Sequence, residues 1–262
     1  MQLGLEGRGV VVLGAGSGLG RATALAYAAE GAVVTVFARD ASRLEAVAEE
    51  IDLLGGERPT VVSGSITSAD DLDRLMATAA ARDGAIWSVF LNGGGPAAGR
   101  FEDFDDAAWQ QAYEATLLGY IRATRSALPY LRASGSGRIV NNASSGVKAA
   151  LDGLLLSNVF RLGIIGLTRT LSVELAGDGI LVNAVAAGKI ATDRVASLDR
   201  MRADRVGTTA GEVRAQAERT IPVGRYGTPE EFARTVVFHG SPANTYVTGQ
   251  TLLVDGGMYR GY

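Results

Sequence analysis

The first residues that could carry chemistry are the glycines that follow the first apolar segment. Residues 14–20 read GAGSGLG and precede a helical pattern. Glycines at this spacing let the backbone turn tightly and approach a pyrophosphate. The helix that follows then offers free N–H groups and the positive end of its dipole. A glycine turn between a first strand and a first helix therefore predicts a dinucleotide-binding site.

The tip of the second predicted strand indicates which dinucleotide binds. It reads Phe37-Ala38-Arg39-Asp40, and Arg43 follows one helical turn later. An arginine here suits the 2′-phosphate of NADP(H), whereas an acid would bond the ribose hydroxyl of NAD(H). Asp40 stands at about the distance expected of that acid, but it is also a natural helix N-cap. We predict NADP(H) in preference to NAD(H), with Asp40 as the feature that favours the alternative.

Short apolar runs alternate with longer helical patterns along the whole chain. Most of the runs are apolar on both faces, which is typical of parallel strands covered by helices. The pattern predicts an α/β protein: one Rossmann domain over residues 1–262, with a doubly wound parallel sheet of about seven strands. The predicted strands are Gly9–Leu13, Ala32–Ala38, Pro59–Ser63, Trp87–Asn92, Arg138–Asn142, Ile180–Val185 and Thr251–Val254. The predicted helices are Gly18–Glu30, Ser42–Leu54, Ala69–Arg82, Asp106–Ala133, Leu156–Ala176 and Pro229–His239.

A segment at about 193–219 interrupts the alternation and is rich in arginine and acidic residues. It is either a lid over the substrate or a solvated helical insertion. The lid is favoured because ligands of open α/β sheets bind outside the carboxyl ends of the strands, and this segment follows such an end.

Capping-box spacings begin three helices, at Ser42, Thr209 and Thr228. Tyr113, Tyr120 and Tyr130 share the long helix and are interpreted as a packing stripe.

The composition excludes several functional classes. The 262 residues include no cysteine and one histidine, which argues against a disulfide framework, a thiolate nucleophile and a metal site. The net charge of −3 gives no basic footprint for nucleic acid. No apolar run reaches the ~20 residues that span a bilayer. We therefore expect a cytoplasmic protein that acts on a small molecule, without nucleic acid, membrane or metal.

Several motifs together resemble the short-chain dehydrogenase/reductase family. They are the glycine turn, LNGGG at 91–95, NAVAAG at 183–188 and a tail from IPVGR at 221–225 to DGG at 255–257. Leu13 and Ala187 stand where the family usually has Thr and Pro. The resemblance implies the fold above, a nicotinamide cofactor and a homotetramer. The cofactor-binding residues predicted from the motifs and the resemblance are Gly14, Gly16, Ser17, Gly18, Leu19, Gly20, Arg39, Asn92, Gly93, Gly94, Arg161, Gly188, Ile190 and Thr192.

The chain departs from the family at the residues that would do catalysis. Ser144 matches the family's serine, but Ser157 and Arg161 stand where Tyr-x3-Lys is expected, and Thr116 stands where Asn is expected. Serine does not titrate near neutrality, and arginine stays charged, so neither replaces an activated phenol as proton donor. Spacing of i, i+4 keeps Ser157 and Arg161 on one helix face. Lys148 is either an auxiliary acid or clamp, or a solvated loop lysine.

These residues favour a reductase that stabilises an oxyanion. Ser144, Ser157 and Arg161 could hold the oxygen of a small ketone or conjugated enone, with Lys148 as auxiliary. The GGGP loop at 93–96 together with Ser157 and Arg161 also resembles a divergent branch of the family. Some members of that branch reduce conjugated carbonyl compounds in specialised bacterial metabolism. The alternative is a cofactor-binding protein without redox activity, which would serve as a sensor or scaffold, or as a non-redox lyase or isomerase.

Overall fold

Seven strands form one parallel sheet. The structure, a computed structural model, describes residues 2–261. The strands are β1 (Gly9–Leu13), β2 (Val33–Ala38), β3 (Thr60–Ser63), β4 (Ser88–Leu91), β5 (Arg138–Ser144), β6 (Leu181–Ala187) and β7 (Thr251–Val254). They pair in the order β3-β2-β1-β4-β5-β6-β7, and every pair is parallel. The order reverses between β1 and β4, so the crevice for a ligand opens there, outside the carboxyl ends of the strands.

Nine α-helices within the described residues accompany the sheet. They are α1 (Gly18–Ala29), α2 (Ala41–Leu53), α3 (Ala69–Ala79), α4 (Asp106–Tyr113), α5 (Gly119–Ala133), α6 (Leu155–Glu174), α7 (Asp193–Val206), α8 (Ala210–Thr220) and α9 (Pro229–His239). The predicted fold class is confirmed, and the predicted element bounds agree to within a few residues. No helix of the described chain is both long and apolar enough to cross a membrane.

The core lies on both faces of the sheet because the central strand is apolar on both. In β1, Val10 and Val12 pack into a cluster with side chains of α1, α2 and α9. Val11 and Leu13 point to the opposite face and pack with α3, α5 and α6. This alternation follows from the two-residue period of a strand. The sheet is therefore covered by helices on each side, which is the doubly wound arrangement expected from its apolar strands.

The long helix predicted over Asp106–Ala133 contains a π turn. The turn spans Glu114–Leu118 and joins α4 to α5. A π turn is wider than an α turn, so side chains after it do not keep the 3.6-residue spacing of those before it. Tyr120 and Tyr130 accordingly pack into one core cluster, whereas the Tyr113 ring lies 6.1 Å from the ring of Phe160. All three tyrosines thus pack as predicted, but not as one stripe, because Tyr113 lies against Phe160 and Tyr120 and Tyr130 lie in the core cluster.

Two of the three predicted capping boxes are present. Thr209 caps α8 and Thr228 caps α9, each paired with the glutamate three residues later. The box predicted at Ser42 is wrong. Asp40 caps α2 instead, and the Ser42 hydroxyl donates a hydrogen bond to the Asp40 carboxylate at 2.7 Å.

The segment at 193–219 forms α7 and most of α8, so its helical character is confirmed.

The cap of α9 predicts a measurable contribution to stability. Thr228 Oγ1 accepts from the Glu231 N–H at 3.3 Å, and Glu231 Oε2 accepts from the Thr228 N–H at 2.8 Å. Thr228→Ala removes the side-chain acceptor and should lower the free energy of unfolding by about 1 kcal/mol in urea denaturation. Thr228→Ser keeps the acceptor and should retain most of that stability. An equal loss in both variants would contradict the assignment.

Candidate active site

One large cavity opens along the carboxyl edge of the sheet. Its volume is about 1140 Å³, and its walls come from the ends of four strands (β1, β2, β5 and β6), from loops at the carboxyl edge and from α7. Every residue predicted for cofactor binding or catalysis lines this cavity, except Gly20 and Lys148. The predicted residues that line it are Gly14, Gly16, Ser17, Gly18, Leu19, Arg39, Asn92, Gly93, Gly94, Ser144, Ser157, Arg161, Gly188, Ile190 and Thr192.

The glycine turn after β1 is shaped by close backbone approaches. Gly14 and Gly18 have φ values of +63° and +52°, a left-handed conformation that favours glycine. A Cβ on Gly20 would lie 2.0 Å from the carbonyl oxygen of Gly14. Gly20 is therefore required for packing of α1 against the turn and does not line the cavity. A contact between Gly20 and the cofactor stays a prediction beside this packing role.

The N-terminus of α1 is open toward the cavity. Ser17 is the N-cap residue but makes no side-chain capping hydrogen bond, and the first turn holds no acid. Gly16, Ser17, Gly18 and Leu19 line the cavity at this point. The N–H groups of the first turn have no partner within an α-helix, and the helix dipole is positive there. The arrangement is suited to binding a phosphate group.

The tip of β2 presents cations to the same end of the cavity. Arg39 and Arg43 both line the wall. Asp40 accepts hydrogen bonds from the Ser42 hydroxyl at 2.7 Å and from the Arg43 N–H at 3.2 Å. These bonds, with the Ser42 hydroxyl as the largest cause, hold the pKa of Asp40 below its ordinary value. The Asp40 carboxylate is thus engaged as the cap of α2, the structural role that the sequence left open.

The ends of β6 and β7 close the opposite wall. A Cβ on Gly188 would lie 2.6 Å from the Cα of Asp255, so glycine permits this close approach. Ile190 is buried, and Thr192 caps α7 by accepting from the Val195 N–H at 3.3 Å. A Cβ on Gly18 would lie 3.4 Å from Thr192 Cγ2. This wall therefore stands directly across from the glycine turn.

A chain of buried amides connects the glycine turn to Arg161. Asn92 Nδ2 donates to the Gly14 carbonyl at 3.3 Å, and Asn142 Nδ2 donates to Asn92 Oδ1 at 2.7 Å. Arg161 Nη1 donates to the Asn142 carbonyl and, at 3.2 Å, to the Tyr120 hydroxyl. Each link is buried or part-buried, and bonds in such surroundings hold geometry firmly. The position of Arg161 is therefore coupled to that of the turn.

Arg161 is 5% exposed yet keeps donors free. Within residues 2–261, its Nε and Nη2 have no hydrogen-bond partner, and the side chain lines the cavity. Ser157, one turn earlier on α6, lines the same cavity. Ser144 ends β5, and its Oγ accepts from the Gly146 N–H at 3.2 Å, so its own proton remains for a ligand. The three side chains can each donate to a bound oxygen.

Lys148 does not join this group. It is exposed, and it is not among the residues that line the cavity. The loop that carries it is held by Asn158, whose side chain accepts from the Leu151 N–H at 3.2 Å and donates to the Leu151 carbonyl at 2.9 Å. Lys148 follows a short 3-10 turn, Ser145–Val147, and lies on the solvent side. The structure therefore supports the solvated alternative for this lysine.

Two residues of the site have no clear signal in the sequence. Tyr120 belongs to the core by its ring, but its hydroxyl reaches Arg161. Arg194, in the first turn of α7, lines the cavity and donates from Nη2 to the Pro96 carbonyl at 2.6 Å. Desolvation by burial, followed by the charge of Arg161, lowers the pKa of Arg194. Both contacts join elements that are far apart along the chain.

Comparisons with known proteins agree with this architecture. Residues 14–259 match the family described as enoyl-(acyl carrier protein) reductase. The chain is 35% identical over 256 residues to the 3-oxoacyl-[acyl-carrier-protein] reductase of Synechocystis, covering 95% of each protein. This chain belongs to the short-chain dehydrogenase/reductase family. The resemblance of its motifs is thereby confirmed.

Two further proteins are similar to this chain over nearly their whole length. The short-chain reductase protein NovJ of Streptomyces niveus is 36% identical over 248 residues, covering 94% of this chain and 92% of NovJ. L-sorbose reductase from Gluconobacter frateurii, crystallised with NADPH and L-sorbose, superposes with a TM-score of 0.94 at 28% identity, and the match covers 100% of both chains. This short-chain dehydrogenase/reductase therefore shares its whole fold with a reductase of known complex.

The close approach at Gly20 yields a stability prediction. Gly20→Ala should lower the free energy of unfolding by about 1–3 kcal/mol, because the added Cβ meets a backbone carbonyl that cannot move aside. Gly177→Ala is the matched control, since no atom lies within 4 Å of a Cβ there and its φ is not positive. Urea denaturation of both variants measures the difference. Equal stabilities would contradict the packing described for the turn.

Proposed function

We propose that this member of the family is an NADP(H)-dependent reductase that transfers a hydride to a small ketone or conjugated enone. The observation that carries the proposal is one continuous cavity with two chemically distinct ends. The glycine turn, Arg39 and Arg43 lie at one end. Ser144, Ser157 and Arg161 supply hydrogen-bond donors elsewhere in the same cavity. A cofactor and a substrate oxygen can therefore be held together.

The residues at the first end fit NADPH. The open N-terminus of α1 fits the pyrophosphate, and the guanidinium groups of Arg39 and Arg43 fit a 2′-phosphate. A Cβ on Gly14 would come within 2.7 Å of Asn92 Nδ2, so the backbone itself forms this part of the cradle. The NADPH in the crystals of the related L-sorbose reductase supports the assignment. Bound NADPH supplies the hydride.

Ser144, Ser157 and Arg161 would stabilise the charge that develops on the substrate oxygen. The two hydroxyls donate hydrogen bonds, and the free Nε and Nη2 of Arg161 add a fixed positive charge in a partly water-excluded cavity. Donors that are already oriented need no rearrangement during the reaction. The Asn92–Asn142–Arg161 chain supports this role because it holds the guanidinium in place.

The lack of a proton donor among these groups favours the enone as substrate. Hydride addition to a carbonyl carbon leaves an alkoxide, which is strongly basic and needs a proton. Addition to the β-carbon of an enone leaves an enolate, which hydrogen bonds and a cation can stabilise until water protonates it. Arginine does not release its proton, and Lys148 is exposed and outside the cavity lining. The site is therefore better matched to enolate formation.

Label transfer tests the proposed reaction. The protein is incubated with NADPH deuterated at C4, on each face in turn, and with matched ketones and conjugated enones. We expect mass spectrometry to find deuterium at the β-carbon of an enone. Deuterium at a carbonyl carbon would keep the reductase but overturn the preference for enones.

The variant Arg161→Met tests the role of the guanidinium in label transfer. Methionine keeps a side chain of similar volume without the charge. Label transfer should slow by on the order of 10²-fold, as when an oxyanion donor is removed. Thermal unfolding checks that the variant is folded. If NADPH binds the parent protein tightly and no label moves to any substrate, the reductase proposal fails. The result would then favour a sensor, a scaffold or a non-redox lyase or isomerase.

The choice of NADP(H) has a separate test. Arg39→Ala should weaken NADPH binding by about tenfold, because a charge-assisted hydrogen bond to the 2′-phosphate is lost. NADH lacks that phosphate, so its affinity should change little. Arg58→Ala is the control, because Arg58 pairs with Glu45 at 2.9 Å and does not line the cavity. An equal loss for both cofactors, measured by calorimetry, would overturn the assignment of Arg39.

A further inference from the structure

The cavity extends past the proposed catalytic residues to one face of α7. Eight residues of α7 line the cavity. Asp193, Val195 and Asp199 are three of them, and Asp199 is paired with Lys189 at 3.3 Å. The other five are Arg194, Leu198, Met201, Arg202 and Arg205. Their spacing of three and four residues places them on one side of the helix. The face therefore has an arginine at its start, two apolar side chains in its middle and a pair of arginines at its end.

The charges on this face are not neutralised by the protein. Among the described residues, Arg194, Arg202 and Arg205 form no ion pair with any carboxylate. Arg205 Nη1 would lie 3.3 Å from a Cβ on Gly153, beside Asp152, yet it makes no ion pair with that acid in the described structure. Asp103, which also lines the cavity, is engaged by the Arg100 N–H at 2.6 Å. The cations are available to a ligand.

Arg194 is fixed in place near the reacting end. Its Nη2 donates to Pro96, and a Cβ on Gly95 would lie 3.4 Å from its Nε and Nη2, so the glycine loop leaves room for the guanidinium. It is close enough to Arg161 for the two charges to interact. Two neighbouring cations in a partly desolvated cavity repel each other, and a bound anion relieves that repulsion. Arg194 thus extends the positive potential from Arg161 toward α7.

Arg202 and Arg205 form the second positive region. At i, i+3 they are neighbours on the helix surface, and a pair of guanidinium forks suits a carboxylate or phosphate. From Arg194 to Arg202 the helix rises by about 12 Å. Leu198 and Met201 lie between them and line the cavity with apolar surface. A ligand that follows this face would meet a cation, an apolar stretch and then the arginine pair.

We propose that Arg202 and Arg205 bind an anionic end group of the substrate, whose apolar middle contacts Leu198 and Met201 while its reducible end lies near Arg161 and Arg194. The substrate is thus an amphipathic ketone or enone that carries a carboxylate or a phosphate. This inference rests on the proposed reductase function and specifies its substrate class. It also gives α7 the role of a substrate-recognising lid.

The test compares acids with their neutral esters. The probes are a methyl ketone and a conjugated methyl enone, each joined by a saturated chain of about 12 Å to a carboxylate, the methyl ester of each, and the matched phosphates. Calorimetry on the NADPH-loaded protein measures binding whether or not turnover follows. We expect at least one anion to bind about tenfold more tightly than its neutral partner. The preferred anion identifies the end group.

Charge-neutral variants of α7 locate the effect. The double variant Arg202→Gln, Arg205→Gln should abolish the preference for the anion over the ester. Arg200→Gln is the control, because Arg200 is on the same helix but lines the smaller neighbouring cavity and not this one. It should keep the preference. Circular dichroism checks that α7 remains folded in each variant.

The outcomes separate this inference from the proposed reaction. Equal affinities for anion and ester in the parent protein would overturn the inference, even if deuterium is transferred. An equal loss of preference in Arg200→Gln and in the double variant would also overturn it, because the effect would then reflect net charge. A retained anion preference without label transfer would support the α7 site and count against the reductase.

Discussion

The site depends on the buried hydrogen bonds that run from the Gly14 carbonyl through Asn92 and Asn142 to Arg161. They join the turn after β1, the residue that follows β4, the strand β5 and the helix α6. The strands β1, β4 and β5 are consecutive neighbours in the sheet. A buried guanidinium without partners would be costly. Here Arg161 is stabilised by a backbone carbonyl and a tyrosine hydroxyl, and it still offers two nitrogens to the cavity. The same bonds thus support the fold and position the cation.

The π turn and the core tyrosine contribute to that arrangement. Tyr120 is fully buried, and its hydroxyl is held 3.2 Å from Arg161 Nη1. Because the π turn at Glu114–Leu118 changes the register of the long helix, Tyr120 and Tyr113 do not share one environment. Such turns recur at functional sites because they reorient side chains that a regular helix would place elsewhere. The long helix is therefore part of the support of the proposed oxyanion site.

The fold was predictable because its signals are local. Alternating apolar runs identify the strands, and Thr209 and Thr228 identify two helix starts through contacts within four residues. The Ser42 prediction failed because Asp40, two residues earlier, supplies the capping carboxylate, which accepts from the Arg43 N–H at 3.2 Å. The motif predicted a glycine at position 20, but the structure shows why it is needed there. A Cβ on Gly20 would lie 2.0 Å from the Gly14 carbonyl oxygen, so the requirement is one of packing.

The sequence alone determined the family, the glycine turn and the identities of Ser144, Ser157 and Arg161. Motif spacing and residue type can be read along the chain without knowledge of the fold. Only the tertiary structure decided which side chains meet. Asn92 reaches Gly14 across 78 positions, and Arg161 reaches Tyr120 across 41. Lys148 is close to Ser144 in sequence but faces solvent. Arg194 reaches Pro96 across the cavity. Such contacts depend on strand order and helix packing, which no local period specifies.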